Sequence, residues 1–229
     1  MACSLFGKLP SKRDFVAVDA PRRFLTVWEN WLQAGIAASR EQMAKDWQEA
    51  YLSAPIWRFW LGREIGGAET VGAMMPSVDG VGRYFPLTVF AAAPDGMAID
   101  PPTINPMDDW FGAIEAGMLA VLEGTAPDGP AELAGRLPAP ELRARAEAPA
   151  PPMHPVTGMA VWLAPGDSVA GIFLDLSQQD SDALNAERSY FWTIGGPHYR
   201  SQVVACSGLP DPLLFAGFLT GRFSARQDA

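Results

Sequence analysis

The densest run of side chains able to do chemistry is Pro76-Ser77-Val78-Asp79-Gly80-Val81-Gly82-Arg83-Tyr84-Phe85-Pro86-Leu87. A hydroxyl, a carboxylate and a guanidinium fall within one glycine-punctuated stretch. Read structurally, it is a tight turn in which Asp79 accepts from backbone N–H groups and Arg83 pairs locally. Read functionally, it is a recognition loop in which Arg83 offers a bidentate fork to a carboxylate or phosphate. Nucleophilic attack by Ser77 has no base within the motif to support it. A ligand site or enzyme built on Ser77–Arg83 would need a concave pocket, converging polar groups and a strongly perturbed carboxylate.

Other reactive groups are sparse. The two histidines are His154, in a Pro-rich stretch, and His198, in Gly195-Gly196-Pro197-His198, and both read as loop residues. HExxH, CxxC, GxSxG, P-loop and GxGxxG patterns are all absent. The paired carboxylates Asp108-Asp109 and Asp180-Ser181-Asp182 precede expected helices, where they would satisfy free N–H groups and oppose the dipole. A divalent cation would need more oxygen ligands than either pair supplies. Cys3 and Cys206 stand at opposite ends of the chain, with no disulfide or zinc spacing. No metal or cofactor is expected.

Aromatic residues offer a second kind of contact. Trp57, Phe59 and Trp60 lie in one expected strand and Phe191-Trp192 in another. Alternate strand residues point to opposite faces, so Trp57 and Trp60 should face apart. Burial under a helix is one reading. A Trp exposed beside Arg58 would be a natural binding anchor.

Charge narrows the partners. The 229 residues carry 26 acidic against 17 basic side chains, a net charge of −9. The excess carboxylates repel phosphate backbones, and no basic stripe interrupts them, so neither nucleic acid nor an anionic membrane is expected. No apolar run approaches the ~18 residues of a membrane span, and the first residues lack a basic and apolar leader. Two unpaired cysteines suit a reducing cytosol. The size allows a core burying roughly 70% of the unfolded surface.

The elements that must hold these residues follow from periodicity. Asp19 precedes Ala20-Pro21 as an N-cap with proline in the first turn, and Phe24, Trp28, Trp31 and Leu32 share a helix face. Gly35 reads as an interruption and Ser39, with Gln42 three residues on, as the start of a second helical segment, so residues 20–52 form two successive helices or one bent one. Strands are expected over 56–61, 70–75 and 83–93, forming an antiparallel meander with a turn at Gly66-Gly67. Asp108 should cap a helix over 109–123. Residues 126–155 are rich in Ala and Pro and read as an extended linker or loop insertion, with a helical turn or two over 141–145. Strands then follow over 158–163 and 169–176, joined by Pro165-Gly166-Asp167, and a short polar helix over 181–187. Strands over 190–194 and 203–206 and a helix over 212–219, with Leu213, Leu214, Phe218 and Leu219 inward, complete a single mixed α/β domain.

The motifs resemble the TagF (ImpM) family of type VI secretion accessory proteins. The resemblance rests on Gly7-Lys8-Leu9-Pro10 with Asp14-Phe15-Val16, Trp28-Glu29-Asn30-Trp31-Leu32 and Ala54-Pro55-Ile56-Trp57-Arg58-Phe59. The most specific stretch is Pro76-Ser77-Val78-Asp79 with Gly82-Arg83-Tyr84-Phe85-Pro86-Leu87. Weaker matches continue through residues 189–196 and Gly208-Leu209-Pro210 to Phe215. Where the family usually has Gly before the opening aspartate, this chain has Arg13, and where it has adjacent tryptophans, this chain has Phe191-Trp192.

The resemblance implies a three-layer α/β/α sandwich with a mixed, largely antiparallel central sheet. It also implies a cytoplasmic, non-catalytic protein that negatively regulates type VI secretion after translation. Relatives of this kind act on the forkhead-associated-domain scaffold protein of the apparatus. Ser77, Asp79, Arg83, Trp57, Trp60 and Trp192 are then the candidate partner-binding residues. The alternatives are a small-ligand binder or enzyme using the Ser77–Arg83 loop, and a structural assembly factor.

Overall fold

The computed structural model describes residues 2–125, 129–145, 170–196 and 199–223. Strand β3 (Trp57–Leu61) is buried over all five residues, because it runs through the middle of a sheet covered on both faces. Its neighbours are β4 (Thr70–Met75) and β8 (Arg188–Thr193). Beyond them lie β5 (Leu87–Ala92), β1 (Ser4–Gly7) and β2 (Val16–Val18) on one side and β9 (Gln202–Ser207) on the other. The order is β2-β1-β5-β4-β3-β8-β9. Every pairing is antiparallel, and β5-β4-β3 is the expected meander. A separate ladder joins β6 (Met97–Ala98) to β7 (Arg143–Ala144).

Alternation along β3 divides the aromatic residues between two cores. Trp57, Phe59 and Leu61 face helices α1 (Arg22–Met43), α2 (Trp47–Ser53) and α7 (Phe215–Thr220). Trp60 faces the opposite way, toward α4 (Asp108–Leu122) and α5 (Pro130–Arg136). A one-turn helix, α3 (Arg63–Gly66), joins β3 to β4 and is closed by Gly67 at φ +97°. The result is the expected three-layer α/β/α sandwich, with helix layers on both faces of the sheet.

The indoles span the layers. Trp28 Nε1 donates to Thr88 Oγ1 (3.0 Å), Trp31 to the Pro210 carbonyl (2.7 Å) and Trp57 to that of Phe218 (2.9 Å). On the other face Trp60 reaches the carbonyl of Ile99 (3.1 Å) and Trp110 that of Pro138 (2.8 Å). Each ring buries apolar area while its N–H finds an acceptor in another element.

Several expectations change. The first helix does not break at Gly35 or restart at Ser39. A Cβ on Gly35 would lie 2.4 Å from Phe215 Cδ2, so the glycine admits a close neighbour rather than ending the helix. Ser39 is buried within α1, donating to the Ile36 carbonyl (3.1 Å) and accepting from Trp47 Nε1 (2.9 Å). The break comes at Ala44, φ +47°, before a 3-10 turn and α2. Asp19 is no N-cap: Pro21 holds that position, while Asp19 adopts φ +48° and its carbonyl accepts from Ser4 Oγ (2.8 Å).

The expected strand over 169–176 is helical from Ala170 onward and merges with the polar helix into α6 (Ala170–Asn185). Ile172, Phe173, Leu174 and Leu176 form a short apolar cluster whose period fits either structure. Residues 141–145 contribute to β7 instead of a helical turn, pairing with β6. Within the Ala/Pro stretch, Pro130 stands at the start of α5, which buries Leu133 and Ala134, so residues 129–145 pack against the domain rather than extending as a linker. In the last helix Phe215, Phe218 and Leu219 turn inward, while Leu213 and Leu214 stay exposed. The expectations on residues 158–163, Pro165 to Asp167, His154 and His198 lie outside the described residues.

Candidate functional site

Strand β1 ends at Gly7, where φ is +132° and a Cβ would sit 2.1 Å from the Pro86 carbonyl oxygen. That close approach brings the next residue, Lys8, beneath the Pro76–Leu87 stretch. Its buried Nζ donates to Asp79 Oδ2 at 2.8 Å. The same oxygen accepts from Arg83 Nε (2.7 Å), while Oδ1 accepts from the N–H groups of Val81 (3.1 Å) and Arg83 (2.8 Å). Burial alone would push the Asp79 carboxyl up. The Lys8, Arg83 and Val81 donors outweigh it and hold the group well below the usual carboxylate range.

The turn is closed by Gly82, φ +84°, whose N–H donates to the Asp79 carbonyl (2.9 Å), and by the Asp79 N–H on the Arg83 carbonyl (3.1 Å). Ser77 is buried and donates from Oγ to the Lys8 carbonyl (2.7 Å). Its own carbonyl accepts from Tyr51 Oη (3.1 Å), a hydroxyl that burial lifts above its ordinary pKa. Gly80 N–H donates to the Lys12 carbonyl (2.8 Å), and Arg83 Nη2 to that of Arg13. The loop is therefore fastened to residues 8–13 along its length, and the local-turn reading of Asp79 and Arg83 describes it well. The Ser77 hydroxyl proton is engaged by the Lys8 carbonyl.

The six candidate residues are not gathered on one surface. Trp57, Trp60, Ser77 and Asp79 are buried and cannot touch a partner in this conformation. Their apolar rings or polar atoms are consumed by the two cores and by the loop. Trp192 is half-buried, edge-on to Phe111 with ring centroids 5.0 Å apart. Arg83 is the most exposed of the six, with 57% of its side chain exposed.

Sequence reasoning missed two charged clusters. Arg58 is itself buried, facing α4 from β3. It donates from Nε (2.6 Å) and Nη2 (3.2 Å) to the Glu115 carboxylate and from Nη1 to Asp108 (2.9 Å), with its guanidinium 4.9 Å from the Phe111 ring centre. Burial works against the charge, but Glu115 and Asp108 overcome it and raise the Arg58 pKa. Asp108 thus lies in the first turn of α4, with Met107 at the N-cap. The two-turn spacing of Asp108 and Glu115 on one helix face was the available signal.

The second cluster joins Arg143 to Asp100 (2.6 Å) and Asp182, and Arg145 to Glu69 (2.6 Å) and Asp182 (3.3 Å). Asp180 and Asp182 lie within α6 rather than before it, and Asp182 tethers that helix to β7. Cys3 is buried against the Pro138 carbonyl, and burial pushes its thiol up to about 11. Among the described residues no group of three or more His, Cys, Asp or Glu could hold a metal ion, and no helix is long and apolar enough to cross a membrane.

Comparison with known proteins adds two findings. Residues 4–134 match the family model described as the TagF N-terminal domain, type VI secretion system-associated. The crystal structure of PA0076 from Pseudomonas aeruginosa PAO1 superposes with a TM-score of 0.77 at 29% identity, covering 97% of this chain and 96% of that one. No curated protein matches the sequence.

Proposed function

The chain belongs to the TagF family of type VI secretion system-associated proteins, and on that premise we propose that it is a non-catalytic cytoplasmic regulator that restrains assembly or activity of the apparatus by binding another protein. The observation that carries the reading is the family match across the elements that build the Lys8–Asp79–Arg83 corner. The most specific motif of the chain spends Ser77 and Asp79 on internal bonds and leaves Arg83 at the surface. That arrangement suits a rigid platform presenting a guanidinium, since a side chain anchored at Nε loses little freedom on binding. The forkhead-associated-domain scaffold of the apparatus is the proposed partner.

The test is overproduction of this chain in a bacterium with an active type VI system, followed by secreted effector in the medium and capture of the scaffold from cytosol. Reduced secretion with recovery of the scaffold supports the reading. Unchanged secretion with no scaffold recovered rejects it.

A further inference from the structure

We propose that the groove between the end of α1 and the Gly82–Tyr84 turn binds an acidic, carboxylate-rich peptide segment of a protein partner. It is an open groove of about 810 Å³ whose charged lining residues are Arg40, Lys45 and Arg83, with no carboxylate among its lining. Glu41 and Asp46 adjoin these cations in sequence but do not line the groove. In a chain of net charge −9, three cations around one concavity are a local reversal of sign. The net charge of the protein repels an acidic partner, whereas this lining attracts one.

The groove also has a fixed wall. The Arg40 guanidinium lies 4.2 Å from the Trp47 ring centre and 5.9 Å from that of Tyr84. Trp47 stacks on Tyr51 with centroids 4.8 Å apart, meets Tyr84 edge-on at 5.3 Å and donates to Ser39. A guanidinium held over an aromatic face keeps its edge donors for a carboxylate while losing part of its water. Arg83, opposite, is held by Asp79. The chain reversal at Ala44, in a conformation unfavourable for alanine, brings Lys45 round to the same groove. Exposed Lys12 and Arg13 accept through their carbonyls from Gly80 N–H and Arg83 and do not line the groove. The dimensions exceed those of a single bound anion and suit an extended peptide.

This inference deepens the regulatory reading and rests on it only for the partner's place in the secretion apparatus. The probe is a short fluorescein-labelled oligoglutamate peptide, followed by anisotropy against the full chain at low and moderate salt. Saturable, salt-sensitive binding is expected, weakened at least about tenfold by Arg40→Gln with Lys45→Gln. The control pair Arg63→Gln with Arg136→Gln removes the same charge elsewhere and should change affinity less than about twofold. Absence of binding, or equal loss in both pairs, overturns the groove. So does tighter, groove-dependent binding of a single-stranded oligonucleotide of equal charge. A groove variant that loses the peptide yet still represses secretion separates the groove from regulation and overturns its role as the regulatory contact. Wild type that binds the peptide through the groove without affecting secretion upholds the groove and removes the regulatory reading.

Discussion

Lys8 and Asp79, 71 residues apart in sequence, meet at 2.8 Å in a place almost closed to water. The pair fixes the exit of β1 against the loop before β5, so the most specific motif of the chain is first a structural joint. Removing Asp79 leaves Lys8 buried without its counterion, which costs more than the pair contributes, whereas removing Lys8 leaves Asp79 with Arg83 and two backbone donors. Asp79→Ala should lower the melting temperature by on the order of 10 °C, and Lys8→Met by less, because Arg83 still neutralises Asp79. The double change Lys8→Met with Asp79→Leu should cost less than the sum of the two, read by thermal circular dichroism. Simple additivity would mean the two groups are not coupled.

The depressed pKa of Asp79 has a pH signature. A carboxylate whose folded pKa lies below its unfolded value stabilises the fold fully above the unfolded pKa of about 4. That contribution shrinks as pH falls from there through the folded value. Wild type should therefore lose stability below about pH 4 more steeply than Asp79→Asn, which has no such group to protonate. Parallel acid limbs in urea titrations of the two proteins would contradict the assignment.

Arg58 separates its two partners by exposure. Glu115 keeps only 16% of its side chain exposed, whereas Asp108 keeps 74%. Glu115→Gln should cost about 2–3 kcal/mol, because it leaves a buried guanidinium short of charge. Asp108→Asn should cost less than about 1 kcal/mol, as solvent screens that bond. Chemical denaturation of both variants reads the difference directly.

The thiols should differ as their surroundings do. Cys3 is buried with a pKa near 11, whereas Cys206 is half-buried on the edge strand β9. At pH 8 a disulfide reagent should label Cys206 first and Cys3 only at the rate of unfolding. Fast labelling of Cys206→Ser protein would show that the Cys3 layer opens readily.

The strands of the meander were legible because Trp57 to Leu61 and Thr70 to Met75 combine β-favouring residues with glycine and proline borders. The α1 break was not. Ser39 and Gln42 mimic a helix start, and only the tertiary bond from Trp47 to Ser39 shows that the serine belongs inside. The α6 error has a different origin, since a short apolar run carries no period of its own. At the site, the pairing of Asp79 with Arg83 was visible as a local i, i+4 relationship. Lys8 was invisible, because nothing local to a sequence marks a partner brought in by another strand. The groove cations were equally hidden, since Arg40, Lys45 and Arg83 form no basic run and meet only after folding.

The indole N–H groups of Trp28, Trp31, Trp57, Trp60 and Trp110 each end on one acceptor in a different element. Greasy contact alone tolerates a layer sliding by one residue, because one apolar neighbour substitutes for another. A donor buried with a single acceptor does not, since the slid arrangement strands it. The tryptophans therefore work as addresses, telling each layer which residue of its neighbour it must meet. A phenylalanine in any of these places would keep the grease and erase the address.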